Sequence, residues 1–168
     1  NLKSRAIGLG VMGEAEMLAS KGIMFGSQEH FEFIDDIMEV VSFNAIKASS
    51  KIAEEKDSYP NFNGSEWSKG LLPIDFANEK AKELTPLAES VYTEEEYKEL
   101  REQVSKGMRN GYLMAIAPTS SISILVGTTQ AIEPIYRKKW FEENLSGLIP
   151  VVAPKLSPET WEYYPSAF

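Results

Sequence analysis

From about Gln28 to Glu55, apolar residues recur at helical spacing: Ile34, Ile37, Met38, Val41, Ala45, Ala48 and Ile52 fall on one face. Ser27 precedes the run as a cap, and Glu29 and Glu32 occupy the first turns, where the helix dipole favours negative charge. Asp57-Ser58-Tyr59-Pro60 ends it. So long a helix needs a large partner surface. A second helix is predicted after Thr93-Glu94-Glu95-Glu96, a capping-box pattern with Thr93 as cap and Glu96 three residues on, and it continues through Tyr97, Leu100 and Val104 to Gly107. A third is predicted from Ile7 to Ala19, with Leu9, Met12, Ala15, Met17 and Leu18 apolar and Lys21-Gly22 as its stop. Glycines at 8, 10 and 13 make it poor on propensity, so tertiary packing must hold it.

The pattern changes at Tyr112-Leu113-Met114-Ala115-Ile116-Ala117, a short apolar run stopped by Pro118, as expected of a strand buried on both faces. The hydroxyl residues Thr119, Ser120 and Ser121 that follow are entry signals for a helix, while the β-rich residues after Ser121 leave a hairpin as the alternative. Tyr59 to Pro73 is an aromatic connection containing Phe62, Trp67 and Leu71-Leu72, and Asn78 to Glu89 reads as a charged surface segment. Helices alternating with a buried strand favour an α/β layout.

Composition narrows the function. At 168 residues and 43% hydrophobic content the chain can fill one core and reads as one domain. A net charge of -8 argues against a general grip on nucleic acid, but it leaves room for a local phosphate site, because backbone amides bind anions without adding formal charge. No apolar run is long enough to span a membrane, and the N-terminus lacks a signal-peptide pattern. Zero cysteines remove disulfides, thiolate nucleophiles and cysteine–metal sites from this chain, and His30, the only imidazole, removes a multi-histidine metal site. The lack of cysteine is compatible with a cytoplasmic location. Neither end has a polar fade-out, so the chain reads as a piece cut from something longer.

Candidate chemistry is sparse. Gly8-Leu9-Gly10-Val11-Met12-Gly13 matches GxGxxG, but a dinucleotide fingerprint needs a strand before it and an acidic residue at the end of a second strand about 20 residues on. The region from Gln28 reads as helix instead, and close helix packing explains the glycines better. The turn Pro118-Thr119-Ser120-Ser121-Ile122-Ser123 is the best local candidate. A helix starting there would point unpaired amides outward from the end of a strand, and the hydroxyls of Thr119, Ser121 and Ser123 could add donors to phosphate oxygens. An ordinary capped helix start is the competing reading. Glu133-Pro134 precedes Arg137, Lys138 and Lys139, and a lone glutamate cannot form a carboxylate pair. His30 reads as a packing or surface residue, the tryptophans 67, 140 and 161 are too dispersed to imply a stacking platform, and Tyr163-Tyr164 reads as an edge or an anchor.

Several of these segments together resemble the ribonucleotide reductase large subunit. The resemblance is carried by Arg5-Ala6-Ile7-Gly8-Leu9-Gly10-Val11-Met12-Gly13, Ser42-Phe43-Asn44, Trp67-Ser68-Lys69-Gly70, Met108-Arg109-Asn110-Gly111, and the run from Leu113 through Ser123 and Gly127-Thr128-Thr129 to Ile132-Glu133-Pro134. It covers essentially the whole chain, in family order. What it implies is an α/β fold: residues 1–168 as a fragment from the later part of the ten-stranded catalytic barrel, with no separate second domain. The segment Trp140 to Phe168, with Asn144-Leu145-Ser146-Gly147 and Pro150-Val151-Val152-Ala153-Pro154, looks more like class I proteins than the cobalamin-dependent class.

The implied activity is reduction of ribonucleotides to deoxyribonucleotides by radical chemistry. The thiyl cysteine and reducing pair have no counterpart here, the family's asparagine–glutamate segment lies upstream, and its radical-path tyrosines lie downstream of residue 168. No catalytic, metal or cofactor-binding residue is therefore carried over. Pro118, Thr119, Ser120, Ser121 and Ile122 match the family's turn around the substrate phosphates, with Ser123 just beyond. For the whole enzyme the resemblance implies a ribonucleoside diphosphate substrate, the remaining large-subunit segments, a homo-oligomer of the full subunit, a metal-containing radical-generating small subunit and an external dithiol reductant. It also implies ATP binding and allosteric effector sites elsewhere. Glu14 departs from the pattern, which usually has an aromatic or apolar residue there; buried and unpaired it would be costly, so the open readings are that it faces solvent or an absent part of the protein, or marks natural divergence or an altered fragment. The alternatives are a non-catalytic remnant that binds a nucleotide or a subunit, and a segment of a cobalamin-dependent reductase.

Overall fold

The computed structural model describes residues 1–76, 89–144 and 147–164. The predicted segment from Asn78 lies outside them except for Glu89, which is exposed. The chain divides into two compact units, one of residues 1–9 and 32–115, the other of residues 10–31 and 116–168. Helix α1 is Glu14–Lys21, α2 is Gln28–Lys56, α3 is Glu94–Lys106 and α4 is Ser120–Val126; strands β1, Lys139–Asn144, and β2, Gly147–Val152, form an antiparallel hairpin.

In the first unit the core gathers Phe43, Ile46, Tyr59, Phe62, Leu72, Leu100, Val104, Met108 and Leu113. α2 runs as the periodicity predicts, but it buries a different line. Phe43, Ile46, Ser49, Ser50 and Ala53 are buried, whereas Ala48 and Ile52 are exposed and Ile34, Ile37, Met38, Val41 and Ala45 are only half-buried. Two serines displace the apolar face because they have partners. The Ser49 hydroxyl donates to Asn110 Oδ1 at 3.0 Å and accepts from the Asn110 amide at 3.1 Å, and the Ser50 hydroxyl donates to the Gln103 carbonyl at 3.1 Å. A buried hydroxyl with such partners costs little, so the helix can present it inward. Asp57, in the left-handed region at φ 62, ends the helix, and the Arg109 guanidinium donates to the carbonyls of Lys56 and Asp57. α3 begins with the predicted capping box, with Thr93 Oγ1 accepting from the Glu96 amide and the Glu96 carboxylate accepting from the Thr93 amide at 2.8 Å.

The predicted first helix is corrected at its start. Ile7 to Leu9 is extended rather than helical and lies parallel to residues 112–115. The Ile7 amide donates to the Tyr112 carbonyl at 3.0 Å, Leu9 to Leu113 at 2.8 Å, and Ala115 back to Leu9 at 3.0 Å. Gly8 sits where a Cβ would come within 2.9 Å of the Ala115 side chain, so a glycine is what lets these two segments close. Gly8 is thus explained by strand pairing rather than by helix packing. Residues 112–117 are also less enclosed than expected. Leu113 is buried, but Tyr112 is 69% and Ile116 45% exposed, because among the described residues Ile7–Leu9 is the one backbone partner.

Two acidic groups tie the surface of this unit together. Glu39 accepts from the Ser90 hydroxyl, from the Val91 amide at 2.8 Å and from the Tyr97 hydroxyl at 2.8 Å. Burial alone would push this carboxyl up, but the hydrogen bonds outweigh it and hold the carboxyl below its ordinary value. Burial, reinforced by Glu39, pushes Tyr97 up to about 12. Asp75 takes both guanidinium nitrogens of Arg101, at 2.5 and 2.8 Å, and that hydrogen bonding lowers its carboxyl. A depressed folded-state carboxyl stabilises the fold above its unfolded value and loses that contribution as pH falls through the folded one. Urea midpoints are therefore expected to hold steady near neutrality and fall from about pH 4 downward. The Glu39→Gln/Asp75→Asn variant, followed by the same titration, is expected to show a weaker acid dependence.

The second unit holds α1, α4 and the hairpin. α1 starts after Gly13, left-handed at φ 89, and stops at Gly22, left-handed at φ 74, whose amide caps the carbonyls of Leu18 and Ala19. The hairpin pairs Lys139 with Val152 through Asn144 with Gly147. It falls at 139–152, and the residues after Ser121 are helical, so the helix alternative holds there. Ala19, Ala153 and Tyr164 form the buried cluster of this unit. Tyr164 donates to the Pro154 carbonyl at 2.6 Å, and burial followed by the nearby Glu16 charge pushes its hydroxyl up to about 12. It serves as the anchor read for Tyr163-Tyr164.

Candidate functional site

The turn at Pro118 enters α4 through Thr119, whose backbone lies in the left-handed region at φ 51, ψ 23. That conformation is costly for a β-branched residue, so surrounding contacts must hold it. One such contact comes from Ala131, whose amide donates to Thr119 Oγ1 at 2.9 Å. The first helical hydrogen bond runs from the Ser123 amide to the Thr119 carbonyl at 2.9 Å. The amides of Ser120, Ser121 and Ile122 therefore stand ahead of it, without a helical acceptor. All three residues are exposed, as is Pro118, and Thr119 is half-buried.

Ser123 has a different place. It is fully buried, its hydroxyl donates to the Ser120 carbonyl at 3.1 Å, and its carbonyl takes the amides of Gly127 and Thr128. It shapes the turn from inside and offers no outward donor. The turn therefore presents a row of amides flanked by the hydroxyls of Thr119 and Ser121, a donor-rich lip suited to an anion.

The GxGxxG segment presents the opposite chemistry. The Gly13 amide donates to the Thr129 carbonyl at 3.0 Å, the Glu14 amide to the Ala131 carbonyl at 3.4 Å and the Glu16 amide to Thr129 Oγ1 at 3.3 Å. Two carboxylates, Glu14 and Glu16, fill the first turn of α1. With three of its amides taken and its charge negative, this helix start is a poor phosphate site, and about 20 residues on lies α2 rather than a second strand.

Glu14 is placed where the sequence did not put it, whereas His30 takes the packing role read for it. Both are buried, at 7% and 5% exposure, and His30 Nε2 lies 2.9 Å from Glu14 Oε1. Glu16 is also buried and meets Lys155 Nζ at 2.5 Å. The signal that could have found the first pair was the departure itself, a carboxylate at a position of apolar habit together with the single imidazole of the chain. Glu133 is exposed, its amide donating to the Gln130 carbonyl, and Lys138 and Lys139 lean over the rings of Trp161 and Phe141. A cavity of about 500 Å³ adjoins the C-terminal half of α4, lined by Ser123, Thr128, Glu133, Arg137, Trp140 and Val151 among others. Among the described residues no helix is long and apolar enough to cross a membrane, and no three His, Asp or Glu side chains converge on a metal site.

Comparison with known proteins identifies the family of the chain. Residues 1–164 match the family model described as ribonucleotide reductase, barrel domain. The ribonucleoside-diphosphate reductase subunit alpha of Helicobacter pylori strain 26695 is 62% identical over 100% of this chain and 21% of its own length. The subunit alpha of Treponema pallidum is 43% identical over 99% of this chain and 18% of its own, and the large subunit of African swine fever virus is 35% identical over 88% and 20%. The chain thus spans about a fifth of the length of these three relatives. Its mixed helix and sheet, with the parallel pairing of Ile7–Leu9 beside residues 112–115, is a segment of that barrel: the chain belongs to the ribonucleotide reductase barrel-domain family.

Proposed function

We propose that residues 1–168 are part of the catalytic barrel domain of a ribonucleoside-diphosphate reductase subunit, and that the turn from Pro118 to Ser123 holds the phosphates of a ribonucleoside diphosphate. The observation that carries this is the set of three amides without a helical acceptor, of the exposed residues Ser120, Ser121 and Ile122, behind a threonine held in a strained backbone conformation. Donor-rich sites of this kind stabilise an anion without requiring a formal cation, which suits a chain of net charge -8. In this reading Pro118 sets the entry to the turn, Thr119 and Ser121 add hydroxyl donors, and Ser123 braces it from within. The reduction itself belongs to thiols on segments outside this chain, which has no cysteine. An external dithiol reductant, a small subunit that supplies the radical from its metal centre, a homo-oligomeric large subunit, effector sites for nucleotides such as ATP and a cytoplasmic location belong to the same proposal. The relatives are named ribonucleoside-diphosphate reductases, which supports a diphosphate as the substrate.

The test is a calorimetric comparison of a ribonucleoside diphosphate with its parent nucleoside, in a full-length subunit carrying this segment. Two charge-assisted hydrogen bonds at about 1.5 kcal/mol each predict about 100-fold tighter binding of the diphosphate. Equal affinities for the two ligands would remove the phosphate assignment.

A further inference from the structure

We infer that the buried Glu14–His30 pair is a positioning device for the phosphate turn. His30 is fixed on every side. Its Nδ1 accepts from the Gly26 amide at 2.9 Å, so its proton sits on Nε2 and is donated to Glu14 Oε1 at 2.9 Å. Its own amide donates to the Ser27 hydroxyl at 3.1 Å, and the rings of Phe25 and Phe31 lie 4.6 and 5.3 Å from the imidazole. Glu14 is thereby held at the first turn of α1.

From that turn the backbone reaches the segment that clamps Thr119. The Glu14 amide donates to the Ala131 carbonyl and the Gly13 amide to the Thr129 carbonyl, while the Ala131 amide donates to Thr119 Oγ1. A Cβ on Gly13 would meet Thr128 Oγ1 at 2.6 Å, so α1 is seated directly against this segment. Ala131 and Thr119 are both non-glycine residues in the left-handed region, at φ 37 and φ 51. Each is in a conformation it leaves readily unless held. The path His30–Glu14–Ala131–Thr119 holds both, and through them sets where the amides of Ser120 and Ser121 point. Glu14 touches no ligand itself; it acts through Thr119.

The inference rests on the phosphate-turn reading, and the experiment separates the two. In a full-length subunit carrying this segment, affinities for a ribonucleoside diphosphate and for its nucleoside are measured with Glu14→Met, Glu14→Gln, Thr119→Val and Ser121→Asp. Glu14→Met is expected to weaken the diphosphate about tenfold and leave the nucleoside unchanged, since a displaced donor array loses only what it contacts. Glu14→Gln keeps an acceptor for His30 Nε2–H and is expected to restore the diphosphate affinity. Glu14→Met combined with Thr119→Val is expected to be no worse than Thr119→Val alone, because both cut one path. If Glu14→Met does not accumulate folded, Glu14→Met/His30→Phe removes both partners, leaves no buried orphan and carries the same expectation. Unchanged diphosphate affinity in Glu14→Met, with Ser121→Asp still damaging, overturns the positioning role and spares the phosphate site. Equal weakening of both ligands, or no rescue by Glu14→Gln, overturns it as a purely structural effect. No effect of Thr119→Val and Ser121→Asp overturns the phosphate reading itself.

Discussion

Ser121→Asp is expected to weaken ribonucleoside diphosphate binding by about tenfold to a hundredfold in a complete subunit, with little change in nucleoside affinity. The argument is electrostatic. Ser121 is exposed and its amide is among the three that stand ahead of the first helical hydrogen bond. A carboxylate there would lie about 5 Å from a bound phosphate, and two unit charges at that distance repel by roughly 1 to 3 kcal/mol for effective dielectric constants between those of water and a protein surface. Raising the salt concentration should shrink the penalty, because an exposed pair is screened. Ser123→Ala makes the opposite comparison. That hydroxyl is turned inward onto the Ser120 carbonyl and is fully buried, so its loss should cost about 1 kcal/mol of stability through the unpaired carbonyl and leave no direct signature of a lost phosphate contact. Calorimetry at fixed ionic strength, alongside urea denaturation of both variants, separates the two serines. Comparable effects on diphosphate binding from both would mean that the ligand does not sit on the outward lip.

The difference between these serines is one that sequence cannot express. Both are small hydroxyl residues two positions apart, and only the closed turn decides which points out. What was legible in the chain was local chemistry. The capping box at Thr93 and Glu96 and the span of α2 depend on neighbours within a turn or two, so the pattern carries them. The face of α2 was not legible, because Ser49 and Ser50 are buried by partners at Asn110 and Gln103, more than fifty residues away in the chain. The same is true of the start of α1. Gly8 and Gly10 weaken a helix, but that Ile7–Leu9 instead pairs with residues 112–115 is a long-range event to which helical periodicity is blind. At the site, the hydroxyl-rich entry to α4 could be read directly. The clamp that holds it could not, because Ala131 gives no sign in its side chain of a positive φ or of an amide aimed at Thr119. Glu14 showed itself only as an oddity until His30 was placed beside it.

Leu100→Ala is expected to destabilise the first unit by about 2 to 5 kcal/mol, a large share of the roughly 5 to 15 kcal/mol that folded domains typically possess. Leu100 is 2% exposed on α3 and belongs to the cluster that includes Phe43, Phe62, Val104 and Met108, so truncation removes buried surface and leaves a cavity the neighbours fill only in part. Helix propensity cannot offset this, since alanine exceeds leucine by only about 0.2 kcal/mol on host–guest scales. The expected sign is a lower urea midpoint at unchanged slope, with the melting temperature down by about 10 °C or more. Leu125→Ala supplies the control in the same 168-residue chain. Leu125 is 88% exposed on α4, so the same chemical change there should stay within about 0.5 kcal/mol. A steep cost at Leu100 beside a negligible one at Leu125 follows only if the first unit packs its core as the structure has it; equal costs at the two leucines would contradict that packing.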